Sequence, residues 1–348
     1  MLARTVLCAA LLGVGSLPAA AQESIRIQVA TGHPPIFLWV KHIRESFMPT
    51  VDAELARSGK YKMQWAEAYS GTLAKIGSEV ETLQQGLADL GTAQQIFQPS
   101  KLPLNNVTYY VPFGPSDTSV ILKAADYIQT MPELAAEWSK NGLVYLAPIV
   151  LDNYALLTNF PIKTLDDLKG RKIGAAGPNL AWLRGSGAVG VQTNLTVLYN
   201  DIKSGVFDGT ILFLTAAVPA KIFEVAPHLS RFDFGAMFSG AIAVNKSRWD
   251  RFPEEVKAAW RRGANAYKAR YIMEQSERVA AATGAWTKAG GTTADMSSTE
   301  RAKWIRAMPN GAKEWLKVTG ANGRAVLAGY MDTVRNMGFK FPRDFDRE

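Results

Sequence analysis

Very little in this chain could make or break a covalent bond. One of its 348 residues is cysteine, Cys8, and only three are histidine, at positions 33, 42 and 228. No histidine falls in an H-E-x-x-H pattern, no serine stands in a G-x-S-x-G setting, and the glycines at 185 and 187 lack the spacing and the lysine of a phosphate-cradling loop. These absences argue against hydrolytic, metal-dependent and nucleotide chemistry, so neither a metal nor a cofactor is expected. Long apolar runs are scarce as well. The clearest one, Val6 to Leu17, follows Arg4 and leads through Pro18 to Ala19, Ala20 and Ala21. That is the shape of a cleavable secretory signal, and the run is too short to span a bilayer comfortably. Residues 1–21 are therefore read as a signal peptide and the mature chain as exported. Cys8 leaves with the signal, which excludes disulfides, thiol catalysis and thiolate metal sites.

Neither sign of charge dominates strongly. The formal charge is +8, or +7 once Arg4 is removed, and lysine and arginine are scattered rather than run together with aromatics. No nucleic-acid partner is expected, and the surplus reads as solubility that would also steer anions. What remains is ordinary globular material, 47% hydrophobic and 20% charged, long enough for two domains sharing a cleft.

Alternation predicts strands at Ser24 to Thr31, Tyr61 to Glu67, Ala88 to Ala93 and Val144 to Ile149. Helical spacing covers Phe37 to Met48, Lys75 to Gln85 and Ala124 to Ser139. Strands alternating with helices make this an α/β chain with helices on the faces of a parallel or mixed sheet. Asp152 to Asn159 reads as a strand crossing into a second α/β series. There the stretch Pro161 to Gly177 stands out: Thr164 suits a helix N-cap, Asp166 and Asp167 the first turn, and Gly170 the end. Arg171 to Ile173 then starts a strand that runs into small residues, where backbone can approach a ligand closely. A helix is predicted from Ala181 through Arg184 onward. From Phe252 to Ala289, apolar positions Val256, Ala259, Trp260, Ala264 and Tyr267 predict one long helix, or two broken near Gly263. The tryptophan-rich tail from Ser297 to Glu348 reads as helical and is expected on the second domain.

Four strings in register resemble one family. Pro161 to Ile173, Gln85 to Gly91, Tyr199 to Gly209, and Asn245 to Val256 are similar to stretches that solute receptors of tripartite ATP-independent periplasmic (TRAP) transporters carry in the same order over nearly the whole mature chain. The resemblance implies a two-lobed, periplasmic-binding-protein-like fold with a ligand cleft between lobes and a long bridging helix. It divides the chain into residues 22–151 plus about 238–270 as lobe I, and 152–237 plus about 271–348 as lobe II. It further implies an organic-acid ligand, hinge closure, TRAP membrane permease subunits as partners, and a monomer rather than a dimer. Two rival readings are a ligand-sensing subunit for a receptor kinase and an exported enzyme. The enzyme needs an acid/base pair that none of the candidate cleft residues supplies.

In that family an arginine normally follows the lysine and isoleucine of the strand start and grips the substrate carboxylate at two points. Here that position is Gly174. Register puts Tyr154, Leu195, Leu212 and Phe234 at further ligand-contacting positions, and only Gln94 keeps a long polar side chain there. The departures point to an apolar, aromatic-lined cleft suited to a monocarboxylate with an apolar or aromatic body. The segment from Gly174 to Gly187 is short, so Arg184 either reaches into the cleft in place of the missing clamp or is a solvated helix residue. Trp182, Asn179 and His33 are further cleft-facing candidates. Phe213 reads as core, and Asp208 with Gly209 as a structural turn.

Overall fold

Alternating burial of Ile25, Ile27 and Val29 commits the first segment to a strand with one face inward, and the same logic repeats along the chain. The computed structural model describes residues 22–348; the signal-peptide reading of residues 1–21 lies outside them. The strands are β1 (Glu23–Ala30), β2 (Tyr61–Ala68), β3 (Leu90–Ala93), β4 (Leu143–Leu151), β5 (Tyr154–Thr158), β6 (Lys172–Ala175), β7 (Val189–Gln192), β8 (Gly209–Phe213), β9 (His228–Arg231), β10 (Met237–Asn245) and β11 (Thr292–Asp295). They form two mixed sheets, ordered β2-β1-β3-β10-β4 and β11-β9-β5-β8-β6-β7. Each sheet is covered by helices, giving two α/β lobes. β10 runs antiparallel between β3 and β4 and is buried at every residue, Ser239 and Gly240 included, in keeping with its mostly apolar sequence.

The chain passes between the sheets four times. Two passes lie side by side: Asp152 and Asn153 between β4 and β5, and 232–236 between β9 and β10. Asn153 Oδ1 accepts from the Gly235 N–H at 2.9 Å, and the Tyr154 N–H donates to the Gly235 carbonyl at 3.1 Å. Gly235 has φ +98°, and a Cβ there would stand 2.9 Å from the Gly114 nitrogen, so only glycine fits this close approach. The third pass is the helix Glu254–Lys288, which packs on β4 and the helix Met48–Ala56 at one end and on β11 at the other. Its 35 residues run about 50 Å without a break at Gly263. At its middle, Tyr271 and Gln275 both donate to the Val150 carbonyl, next to the first pass.

The fourth pass corrects an expectation. The helix Ser298–Ala307 packs on the turn Leu165–Leu168 of the second lobe, but the helical stretch Gly311–Asn336, kinked at Gly320 (φ +59°), lies on Leu104–Tyr110 and Thr118–Ile128 of the first. Trp315 fixes it there, stacking on Tyr110 with centroids 5.5 Å apart and donating Nε1–H to the Pro103 carbonyl at 2.8 Å. Four helices also differ from their predicted extents, the first being the helical run that starts at Leu38 and continues past Met48 to Ala56. The region from Ala124 to Ser139 is two helices, Thr118–Ile128 and Pro132–Lys140, because Pro132 has no N–H to continue the first and suits the opening turn of the second. The helix predicted over Lys75 to Gln85 is only Glu79–Gln84, and Gly77, at φ +84°, holds a turn before it. The helix predicted onward from Ala181 is a 3₁₀ run, Gly177–Leu183, that stops at Arg184, whose backbone is extended (ψ 134°), before Gly185 at φ +84°.

Candidate ligand-binding cavity

The two lobes meet around a cavity of about 40 Å³, room for about three water molecules. The first lobe contributes His33, Trp39, Gln94, Phe97, Leu151 and Ser239; the second contributes Tyr154, Asn179, Thr193, Leu195, Leu212 and Phe213. Most of these residues stand at or just beyond the C-terminal ends of β1, β3, β6, β7 and β8, where an open α/β sheet leaves its crevice. The backbone of His33 is pinned because its carbonyl accepts from Thr31 Oγ1 at 2.7 Å and from the Ser70 N–H at 3.2 Å. Tyr154 is held from behind: its hydroxyl lies 3.3 Å from that of Tyr109, which donates to Ser239 Oγ at 2.7 Å.

The cavity wall is apolar, with a few polar groups turned into it. His33 Nδ1 and Nε2, Gln94 Oε1, both amide atoms of Asn179, Thr193 Oγ1 and Trp39 Nε1 are buried and have no hydrogen-bond partner within the protein. Leaving such a group without a partner costs about 1–3 kcal/mol, so their concentration in one place marks a site built to receive hydrogen bonds. No Asp, Glu, Lys or Arg lines the cavity. Burial pushes the His33 imidazole down to about 3, and the neighbouring Gln94 amide offsets only part of this. Burial also raises the Tyr154 phenol well above its usual value and the Tyr109 phenol to about 12. At neutral pH the lining therefore carries no charge.

Of the candidates read from sequence, His33, Gln94, Tyr154, Asn179, Leu195 and Leu212 line this cavity. Four do not. Gly174 shares a strand face with the cavity-lining Ala176 but sits one pleat farther back. A Cβ there would meet Thr193 Cγ2 at 3.0 Å and Phe207 Cδ2 at 3.3 Å, so the volume an arginine stem would need is occupied by Thr193. Arg184 turns away from the cleft and pairs with Glu314 at 2.8 Å, half exposed. Trp182 and Phe234 are core: they stack on each other with centroids 5.4 Å apart, and Trp182 donates Nε1–H to the Tyr109 carbonyl at 2.7 Å. They back Tyr154 rather than face a ligand. Phe213, read as core, is buried in the core and also lines the cavity, 5.1 Å from Tyr154. Trp39, Thr193 and Ser239 were missed; Thr193 follows the strand β7, which was not predicted from the sequence.

A half-enclosed cavity between two α/β lobes joined by paired crossing segments and a long helix defines the class of extracellular solute-binding proteins. The chain belongs to the bacterial extracellular solute-binding protein family 7, whose family model matches residues 33–317. Solved structures agree on the fold. A Bordetella pertussis extracytoplasmic solute receptor binding pyroglutamic acid is 20% identical, with a TM-score of 0.79, over 88% of this chain and 100% of its own. The periplasmic ectoine-binding protein of the TeaABC TRAP transporter of Halomonas elongata is 16% identical, with a TM-score of 0.78, over 90% and 100%. A TRAP periplasmic solute-binding protein from a Sulfitobacter species with bound β-D-galacturonate is 18% identical, with a TM-score of 0.76, over 88% and 100%. Among the described residues no helix is long and apolar enough to cross a membrane.

Proposed function

We propose that this protein is the periplasmic receptor of a TRAP transporter, closing over a compact monocarboxylate with an apolar, ring-like body and presenting the closed form to membrane permease subunits. No bond is made or broken in this role. The observation that carries the reading is the cavity itself: apolar walls from both lobes surround unpartnered amide, imidazole and hydroxyl groups, and no charged side chain lines it. Walls of this kind favour a ligand with an apolar body, while Gln94 and Asn179 can each match a donor–acceptor edge. The small volume argues for a compact molecule over an extended aromatic acid. Pyroglutamic acid and galacturonate, bound by relatives of the same fold, are ring compounds with a single carboxyl group.

A thermal-shift screen of the mature protein tests this, with pyroglutamate, uronates, ectoine, small dicarboxylates and aromatic acids as the panel. A ligand at about a hundred times its Kd adds roughly 2.7 kcal/mol, which moves Tm by a few degrees. Compact monocarboxylates should give the largest shifts. Asn179→Leu should weaken the best binder by about 5- to 150-fold, the range that 1–3 kcal/mol implies for an unpaired buried polar group. Arg184→Ala should leave affinity unchanged. Shifts with dicarboxylates alone, or a large loss of affinity in Arg184→Ala, would overturn the reading.

A further inference from the structure

A carboxylate buried in an apolar cavity without a compensating charge is costly, and no lysine or arginine lines this one. The only lining side chain able to become cationic is His33. Its ring is fixed between three aromatics, with centroids 5.4 Å from Trp39, 5.8 Å from Phe37 and 6.0 Å from Phe97, and both of its nitrogens are buried and unpartnered. Either nitrogen can donate once protonated.

We propose that His33 supplies the countercharge for the ligand: as a carboxylate enters the cavity, the imidazole takes one proton from the solvent and the two are buried together as an imidazolium–carboxylate pair. This inference rests on the monocarboxylate reading and adds to it a coupling of binding to proton uptake. The neutral ring of the ligand-free protein fits such a design, since a cation held permanently in this apolar pocket would itself need a partner. Four other titratable groups surround His33. Glu79 lies beneath Gly32, its Oε1 2.5 Å from where a Cβ on Gly32 would stand. The Lys75 side chain passes Gly71, Tyr69 precedes the Ser70 N–H that bonds the His33 carbonyl, and Tyr154 stands across the cavity. Of these, Glu79, pushed by burial to about 7, is the one that could also exchange a proton near neutrality, and it serves as the control.

The test is calorimetric titration of the mature protein with pyroglutamate at pH 7, in phosphate and in Tris, whose different ionisation heats reveal the protons exchanged. Uptake of about one proton is expected, with Kd weakening about tenfold per pH unit from pH 6 to 8. Both effects should vanish in His33→Gln and persist in Glu79→Gln. In the unmutated protein with ¹⁵N-labelled histidine, one of only three imidazoles should change to the imidazolium pattern on binding, a readout that does not depend on how well a variant folds. Pyroglutamate binding without proton uptake, or uptake lost in Glu79→Gln alone, overturns this inference and leaves the receptor reading intact. Binding of the uncharged pyroglutamate amide in preference to every monocarboxylate, or failure of all monocarboxylates to bind, overturns both.

Discussion

His33 and Glu79 flank Gly32, and burial pushes their proton affinities in opposite directions, His33 down to about 3 and Glu79 up to about 7. The unfolded glutamate ionises near 4.5, so between pH 4.5 and 7 the folded chain holds a proton that the unfolded chain has lost. Stability therefore falls as pH rises through that window and levels off above it. The unfolded histidine is protonated below 6.5 while the folded one stays neutral to about 3, so stability falls as pH drops through that range. Each effect amounts to about 1.4 kcal/mol per pH unit, and they oppose one another between 4.5 and 6.5. Urea denaturation at a series of pH values separates them. Glu79→Gln should gain on the parent protein from pH 4.5 up to 7, and His33→Gln should gain from pH 6.5 down to 3. Profiles parallel to the parent would mean that these groups are not held as described. Sequence reaches only part of this. His33, Gln94 and Asn179 are legible because a strand end or a motif locates each one. Glu79 reads as one more acidic residue beside Glu81, and only its burial under Gly32 makes it distinctive. Trp182 and Phe234 mislead because an aromatic near a strand end serves equally well as a cavity wall or as the prop behind it.

At the level of elements, the helix Glu254–Lys288 shows what its two glycines are for. A Cβ on Gly263 would stand 2.7 Å from Val51 Cγ2 and 3.1 Å from both Phe47 Cδ2 and the Phe47 carbonyl, whereas one on Gly284 would meet nothing within 4 Å. Replacing an exposed helical glycine by alanine gains up to about 1 kcal/mol, while overpacking a tight contact costs about 1–3 kcal/mol. Gly284→Ala is thus expected to stabilise the protein and Gly263→Ala to destabilise it by about 1–2 kcal/mol net, read as opposite shifts in the urea midpoint. Shifts of the same sign would mean that the helix does not press on Phe47 as closely as the geometry requires. The helix was legible because Val256, Ala259, Trp260, Ala264 and Tyr267 keep a 3.6-residue spacing through Gly263, but the reason for the glycine lies in the helical segment of Phe47 and Val51, more than two hundred residues earlier. The C-terminal helix was misassigned for the same reason. Its own periodicity says that it is a helix, but the partner for Trp315 is Tyr110, and that contact has no local signature.

For the whole molecule, the decisive fact is that both lobes contribute to the cavity wall, the second more than the first, and that it has room for about three waters. A ring compound with a carboxyl group is larger than that room, so the lobes are expected to part for it to enter. The paired segments around Asn153 and Gly235 are the expected hinge of the proposed closure, since they are short, joined by the Tyr154 N–H to the Gly235 carbonyl and by Asn153 to the Gly235 N–H, and include a glycine at φ +98°. The long helix limits the motion, because Tyr271 and Gln275 hold the Val150 carbonyl beside that hinge while the helix ends rest on different lobes. The fourth pass limits it too, with Ser298–Ala307 on one lobe and Gly311–Asn336 on the other. Opening is thus expected as a rotation about the Asn153–Gly235 axis rather than a separation. In the closed form a chain of this length has a radius of gyration of about 20 Å. A ligand lowers the free energy only of the state in which both walls touch it, so saturating pyroglutamate should bring the small-angle-scattering radius down to that value from a larger ligand-free one. An unchanged radius despite tight binding would rule out hinge closure, and entry would then have to come from local movement of the Thr193–Leu195 segment at the cavity rim.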